Sequence, residues 1–95
     1  MILVRVVFRA KHGKVNQVVS AMKEAIPHLP HRARLLTDLS GPIDTVVIET
    51  VHDSLAAWER ARVELFKSQE YTSGESVMEQ AIEAAYQEYY TIEAE

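Results

Sequence analysis

Glu49, His52 and His12 are the side chains of this chain best suited to move a proton near neutral pH, and Arg5, Arg9 and Arg34 those best suited to hold an anion. Whether they meet depends on alternation. Arg5 and Arg9 sit within Ile2 to Ala10, where Ile2, Val4, Val6, Phe8 and Ala10 make a wholly apolar face and Leu3, Arg5, Val7 and Arg9 a mixed one. Glu49 lies in the run Thr45 to Val51 and Arg34 in Ala33 to Leu39, each on the mixed face of its strand. Alternation alone gathers Arg5, Arg9, Arg34 and Glu49 on one sheet face, where they line a cavity or form a salt-bridge cluster between subunits. His52 ends the strand of Glu49, but residues three apart point to opposite faces, so its structural reading is a strand-end imidazole satisfying nearby backbone groups. His12 follows the first strand in a loop, at one end of any such cavity. The candidate proton-transfer groups are Glu49, His52 and His12. The candidate ligand-binding set is Arg5, Arg9, Arg34, Glu49 and Tyr90, with the arginines stabilising an anion or enolate and Glu49 as counter-ion or base.

Tyr86, Tyr89, Tyr90 and Trp58 supply flat surfaces that would enclose an organic ligand, although Trp58, on a helical apolar stripe, reads first as core. His28 and His31 are spaced as two metal ligands, yet the prolines of Pro27-His28-Leu29-Pro30-His31 prevent a regular helix and no acidic third ligand is near. They read as a solvated loop, and no metal is expected. The chain contains no G-x-S-x-G, no H-E-x-x-H, no P-loop and no Rossmann glycine run.

The apolar period changes from two to about three and a half and back in the order strand, helix, strand, strand, helix, strand. Val15, Val18, Val19, Met22 and Ile26 give the first helix, which Pro27 and Pro30 end. Ala33 to Leu39 and Thr45 to Val51 form a hairpin around Ser40-Gly41-Pro42-Ile43-Asp44. Asp53 or Ser54 caps a second helix carrying Leu55, Trp58, Ala61, Leu65 and Phe66 and ending near Gln69. After the polar break Tyr71-Thr72-Ser73-Gly74, Val77, Met78, Ala81, Ile82 and Ala85 predict a short extra helix, and Tyr86 to Ile92 a closing strand. The fold class is α+β, a ferredoxin-like βαββαβ sandwich with an antiparallel four-stranded sheet. Val4, Val6, Phe8, Ala33, Leu35, Leu39, Val46 and Ile48 are predicted beneath the helices. The opposite face, with Leu3, Val7, Leu36, Val47 and Val51 among charges of both signs, is too apolar to stay wet, so a second copy should cover it.

Ninety-five residues, 47% of them hydrophobic, make one domain spanning 1–95. Without cysteine there are no disulfides, thiolate metal sites or thiol nucleophile. The start enters a strand with Arg5 and Arg9 inside it, so neither a signal peptide nor a membrane span is expected, and the predicted location is the cytoplasm. The net charge of −4 argues against a nucleic-acid surface, and Thr45 to Glu49 lacks the aromatics of an RNA-recognition strand.

The run Val6-Val7-Phe8-Arg9-Ala10-Lys11-His12-Gly13-Lys14-Val15, with a helix opening after Gly-Lys, resembles the first strand and helix of dimeric α/β-barrel proteins of the antibiotic-biosynthesis monooxygenase-like and NIPSNAP-like families. Leu39-Ser40-Gly41, Thr45 to Glu49, Asp53-Ser54 and Trp58 resemble the same group. The resemblance implies a homodimer with two sheets around a shared interior, which binds a small organic molecule or carries out a cofactor-free monooxygenase-like or isomerase-like step. Haem cleavage in related members uses a first-strand asparagine and a second-helix histidine; strand one here has no Asn, and Ser54 to Gln69 has no His. Lys11 to Val15 also resembles the glycine turn of ACT-like ligand sensors. A non-catalytic dimerisation module is the alternative from another class.

Overall fold

The structure, a computed structural model, describes residues 1–29, 31–66 and 78–95. Pro30, the polar break at 71–74, Val77 and the expected helix end near Gln69 lie outside the described residues.

Strand β1 (Ile2–Ala10) leads through a tight turn into helix α1 (Val15–Ala25), which runs on as a single 3-10 turn (Ile26–His28) where Pro27 removes an amide donor. The turn requires Gly13, whose φ of +81° puts it in the left-handed region, and it closes with Lys14 N–H donating to the Lys11 carbonyl at 2.9 Å. Strands β2 (Ala33–Thr37) and β3 (Thr45–His52) follow, then helix α2 (Leu55–Phe66), helical residues 78–81 and strand β4 (Ile82–Thr91). Of the two predicted caps for α2 it is Ser54 that acts, its Oγ accepting the Ala57 N–H at 3.1 Å.

The strands form one antiparallel sheet in the order β2-β3-β1-β4. Its two inner strands are β3 and β1, each paired on both sides. Ala10 and Val46 pack with Val18 of α1 and with Ala81, joined by Phe8, Val15, Val19, Met22, Leu35, Met78 and Ile82. Helix α2 adds Trp58, buried against His52 at the far end of β3. Both helices therefore lie on the face predicted for them.

Three boundaries differ from the sequence reading. Strand β2 stops at Thr37, because Asp38 instead bonds Thr45 across the hairpin mouth through both its amide (3.2 Å) and its carboxylate (3.1 Å), and Leu39, expected beneath the helices, is fully exposed. The extra helix covers 78–81 among the described residues, and Ile82 and Ala85 belong to β4, which begins four residues earlier than predicted. A bulge between Arg9 and Ala10 causes the third difference: Ala10 pairs with Ile82 and Arg9 with Ala84, leaving Glu83 as the extra residue and hiding the period-two pattern there.

Candidate functional site

The face away from α1 and α2 is organised by strand register. Arg34 of β2 lies opposite Glu49 of β3, Glu49 opposite Arg5 of β1, and Arg5 opposite Glu88 of β4. A single row of alternating charge thus crosses the whole sheet. Glu49 is its anchor, only 8% exposed, with Oε1 accepting from Arg34 Nη2 at 2.5 Å and Oε2 lying 3.3 Å from Arg5 Nε. Arg5 Nη1 reaches Glu88 Oε1 at 3.7 Å, and the Tyr90 hydroxyl donates to Glu88 Oε2 at 2.9 Å. That hydrogen bond to Glu88 holds the phenolic proton and raises the Tyr90 pKa above the usual tyrosine value.

Two apolar rows flank the charges. Leu36, Val47, Val7 and Tyr86 stand on one side in register, and Val51, Leu3 and Tyr90 on the other. Val7 and Val47 are nearly buried within the single chain, so of the five predicted aliphatics Val51 is the exposed one, and most of the apolar exposure falls on Tyr86 and Tyr90. Tyr86 is 59% exposed. Arg9 lies one step beyond, opposite Ala84, and its guanidinium has a loose partner in Glu83 at 3.9 Å.

Arg5, Arg9, Arg34 and Glu49 therefore share one face, as alternation predicts, and strand register brings Tyr90 to the same face. The three proton-transfer candidates do not converge. His12 is almost wholly exposed beyond the end of β1, with Nδ1 3.7 Å from Asp44 Oδ2. His52 faces the helices, where its Nε2 pairs with Thr50 Oγ1 at 2.8 Å and its ring packs tilted against Trp58 with centroids 5.2 Å apart. It lies across the sheet from Glu49, which removes it from any shared mechanism. His31, read from sequence as a solvated loop residue, packs edge-on against His52 at 4.6 Å. Burial lowers the pKa of both imidazoles, reinforced at His31 by the neighbouring His52 and opposed at His52 by Asp53. Tyr89 and Trp58, grouped by sequence with Tyr86 and Tyr90, belong to the helix side, since Tyr89 pairs with Val4. Glu88 is the site residue that sequence reasoning missed. Its parity with Tyr86 and Tyr90 was the available signal.

Among the described residues no cluster of three or more metal-binding side chains occurs, and no helix is long and apolar enough to cross a membrane. No protein-family model matches the chain, and no curated protein matches it in sequence. Solved structures do match. An uncharacterised NIPSNAP domain protein from Burkholderia xenovorans superposes with a TM-score of 0.85 at 18% identity, over 99% of this chain and 96% of that one. The fold is that of the NIPSNAP proteins. A NIPSNAP family protein from Agrobacterium tumefaciens gives a TM-score of 0.83 at 20% identity, covering 95% of this chain and 90% of its own. A Nitrosomonas europaea protein provisionally named an antibiotic biosynthesis monooxygenase gives 0.75 at 14% identity, over 99% and 100% of the two chains. The ferredoxin-like fold predicted from the order of strands and helices is thus shared with both the NIPSNAP and the monooxygenase-like proteins.

Proposed function

We propose that this protein is a homodimer in which two open sheet faces meet as a dimeric α/β barrel, and that it binds a small organic molecule between them. The observation that carries this reading is the open face itself, where charges matched within the chain lie between apolar rows that end in exposed tyrosines. Such a surface fits neither the underside of a helix nor bulk water. The ligand position best supported is the Arg9 end, where the strand neighbour of Arg9 is the small Ala84, Tyr86 stands two residues on, and the guanidinium of Arg9 is only loosely engaged by Glu83. A planar phenol, quinone or aromatic carboxylate suits that combination of ring, methyl and cation.

Binding is favoured over catalysis because Glu49 already serves two guanidiniums and neither His52 nor His12 stands beside it. The second carboxylate of the face, Glu88, is engaged by Arg5 at 3.7 Å and by the Tyr90 hydroxyl at 2.9 Å. The self-neutralised row also supports a second reading, a pure dimerisation module with no ligand. Thermal melting against small carboxylates, phenols and quinones separates the two. A ligand at one hundred times its dissociation constant adds about 2.7 kcal/mol of stability, and Arg9→Ala and Tyr86→Ala are each expected to abolish most of that gain. If nothing in the panel raises the melting temperature, or both variants respond like the parent protein, the ligand-binding reading is lost and the dimerisation module stands.

A further inference from the structure

Of the four ion pairs that the open face carries among the described residues, the one between Arg9 and Glu83 is the loosest. Its nitrogen and oxygen stand 3.9 Å apart, against 3.7 Å for Arg5 with Glu88 and 3.3 Å for Arg5 with Glu49, and both side chains are about half exposed. That distance is too long for a hydrogen bond, so the guanidinium is neutralised but its donors are not satisfied. The backbone puts Glu83 there. Ala10 pairs with Ile82 and Arg9 with Ala84, so the bulge sets Glu83 and Ala84 in succession against Arg9, where an unbroken strand would offer one residue. Among the described residues Arg9 has no other partner.

A carboxylate held in this way is easily exchanged. An exposed ion pair is worth no more than about a fivefold change in an equilibrium constant, because water solvates the separated groups nearly as well. An incoming carboxylate that accepts two parallel N–H bonds from the guanidinium gains charge-assisted hydrogen bonds that Glu83 does not make at 3.9 Å. An uncharged ring makes no such bonds and leaves the ion pair in place. Tyr86, two residues beyond Ala84, is the diagonal neighbour of Arg9 across the two strands, and such positions lie about 7–8 Å apart. Its ring is 59% exposed. One aromatic ring bearing one carboxylate spans that separation, with the anion on Arg9 and the ring against Tyr86 over the small Ala84.

Resting on the ligand-binding reading above, we infer that the ligand is a planar aromatic monocarboxylate and that Glu83 is its built-in competitor, a carboxylate that holds Arg9 in the free protein and releases it on binding. Glu83 thereby determines specificity. Contact with Tyr86 is open to any flat molecule, but only an anion that binds Arg9 better than Glu83 does displaces it.

Chemical-shift titrations with benzoate and with benzamide, its uncharged isostere, test this on the parent protein, Glu83→Gln, Arg9→Ala and the double variant. Benzoate should bind the parent about fivefold or more tighter than benzamide. Glu83→Gln should tighten benzoate about two- to fivefold and leave benzamide unmoved. In the Arg9→Ala background the same substitution should have no effect on benzoate, since a competitor needs the cation it competes for. A purely structural role for Glu83 at the bulge would shift both probes alike. Glu83→Asp, which withdraws the carboxylate by one methylene, should move benzoate in the same direction and serves if the Gln variant fails to fold. Equal binding of the two probes, or benzoate affinity that stays the same or weakens in Glu83→Gln, overturns the inference and leaves a ligand-binding face. So does a protein that ignores both probes yet is stabilised by a phenol or quinone. If neither the probes nor any compound of the melting panel binds, the inference falls together with the reading it rests on.

Discussion

Replacing Glu49 by Gln keeps the shape of the side chain and removes the one negative charge on which the row depends. Two guanidiniums lose their shared carboxylate, and their environments set the cost. Arg34, 71% exposed at the side chain, returns to water for a few tenths of a kcal/mol, roughly the value of a surface pair. Arg5 is only 32% exposed and keeps just the 3.7 Å carboxylate of Glu88, so it bears most of the loss. A hydrogen-bonded or charged contact of this kind is worth about 1.5–3 kcal/mol before screening, which places the cost for the separate chain at about 1–2 kcal/mol. Once a second copy covers the face, Arg5 can no longer turn to solvent, and each protomer loses about another 1–2 kcal/mol on association. Two protomers together raise the dimer dissociation constant by about a hundredfold, at 1.4 kcal/mol per decade. Urea is the denaturant of choice, because guanidinium would itself screen the pairs, and the same samples serve for sedimentation. A Glu49→Gln protein within about 0.5 kcal/mol of the parent and equally dimeric would refute the reasoning, because a carboxylate set between two cations cannot be removed from a covered face without consequence.

Acid should loosen the end of the sheet where His31, His52 and Trp58 meet. Both imidazoles have folded pKa values below 6.5, so the unfolded chain takes up protons first; stability is full above about pH 6.5, falls as the pH drops through that value, and levels off below the folded values. Urea midpoints at pH 7.5 and pH 5 read this directly, and His52→Gln should shrink the difference to the part that burial of His31 contributes. Ser54→Ala removes the acceptor of the Ala57 amide and should cost about 1 kcal/mol in a urea melt, with no effect on dimer mass. Gly13→Ala forces a side chain onto a residue with φ of +81°, and although nothing lies within 4 Å of the new Cβ, backbone strain alone should cost about 1–2 kcal/mol in the same assay.

The elements that sequence predicts well are those whose pattern is set by burial on one side. Strand β1 alternates without interruption, and α1 repeats Val15, Val18, Val19 and Met22 at helical spacing, so both match the structure closely. The start of β4 is obscured because Met78, Ala81, Ile82 and Ala85 also fit a helical stripe, and the extra residue Glu83 breaks the alternation that would have revealed a strand. Leu39 is apolar and in phase with Leu35, yet pairing ends at Thr37 once Asp38 satisfies the Thr45 amide. At the site, parity alone gathers Arg5, Arg9, Arg34 and Glu49 on one face. Their order as a continuous row depends on strand register and on which strands are neighbours, and neither follows from period two. Glu88 stays hidden for that reason, in a strand whose Tyr, Gln and Glu residues mark no apolar side. The contact of His31 with His52 joins the loop before β2 to the end of β3, a tertiary encounter with no local signature.

A dilution series by sedimentation velocity on the unmodified protein bears most directly on whether a second copy covers the open face. We expect a species of twice 10.8 kDa at micromolar concentration, dissociating only on further dilution or in high salt. A single 10.8 kDa species throughout the micromolar range would contradict it.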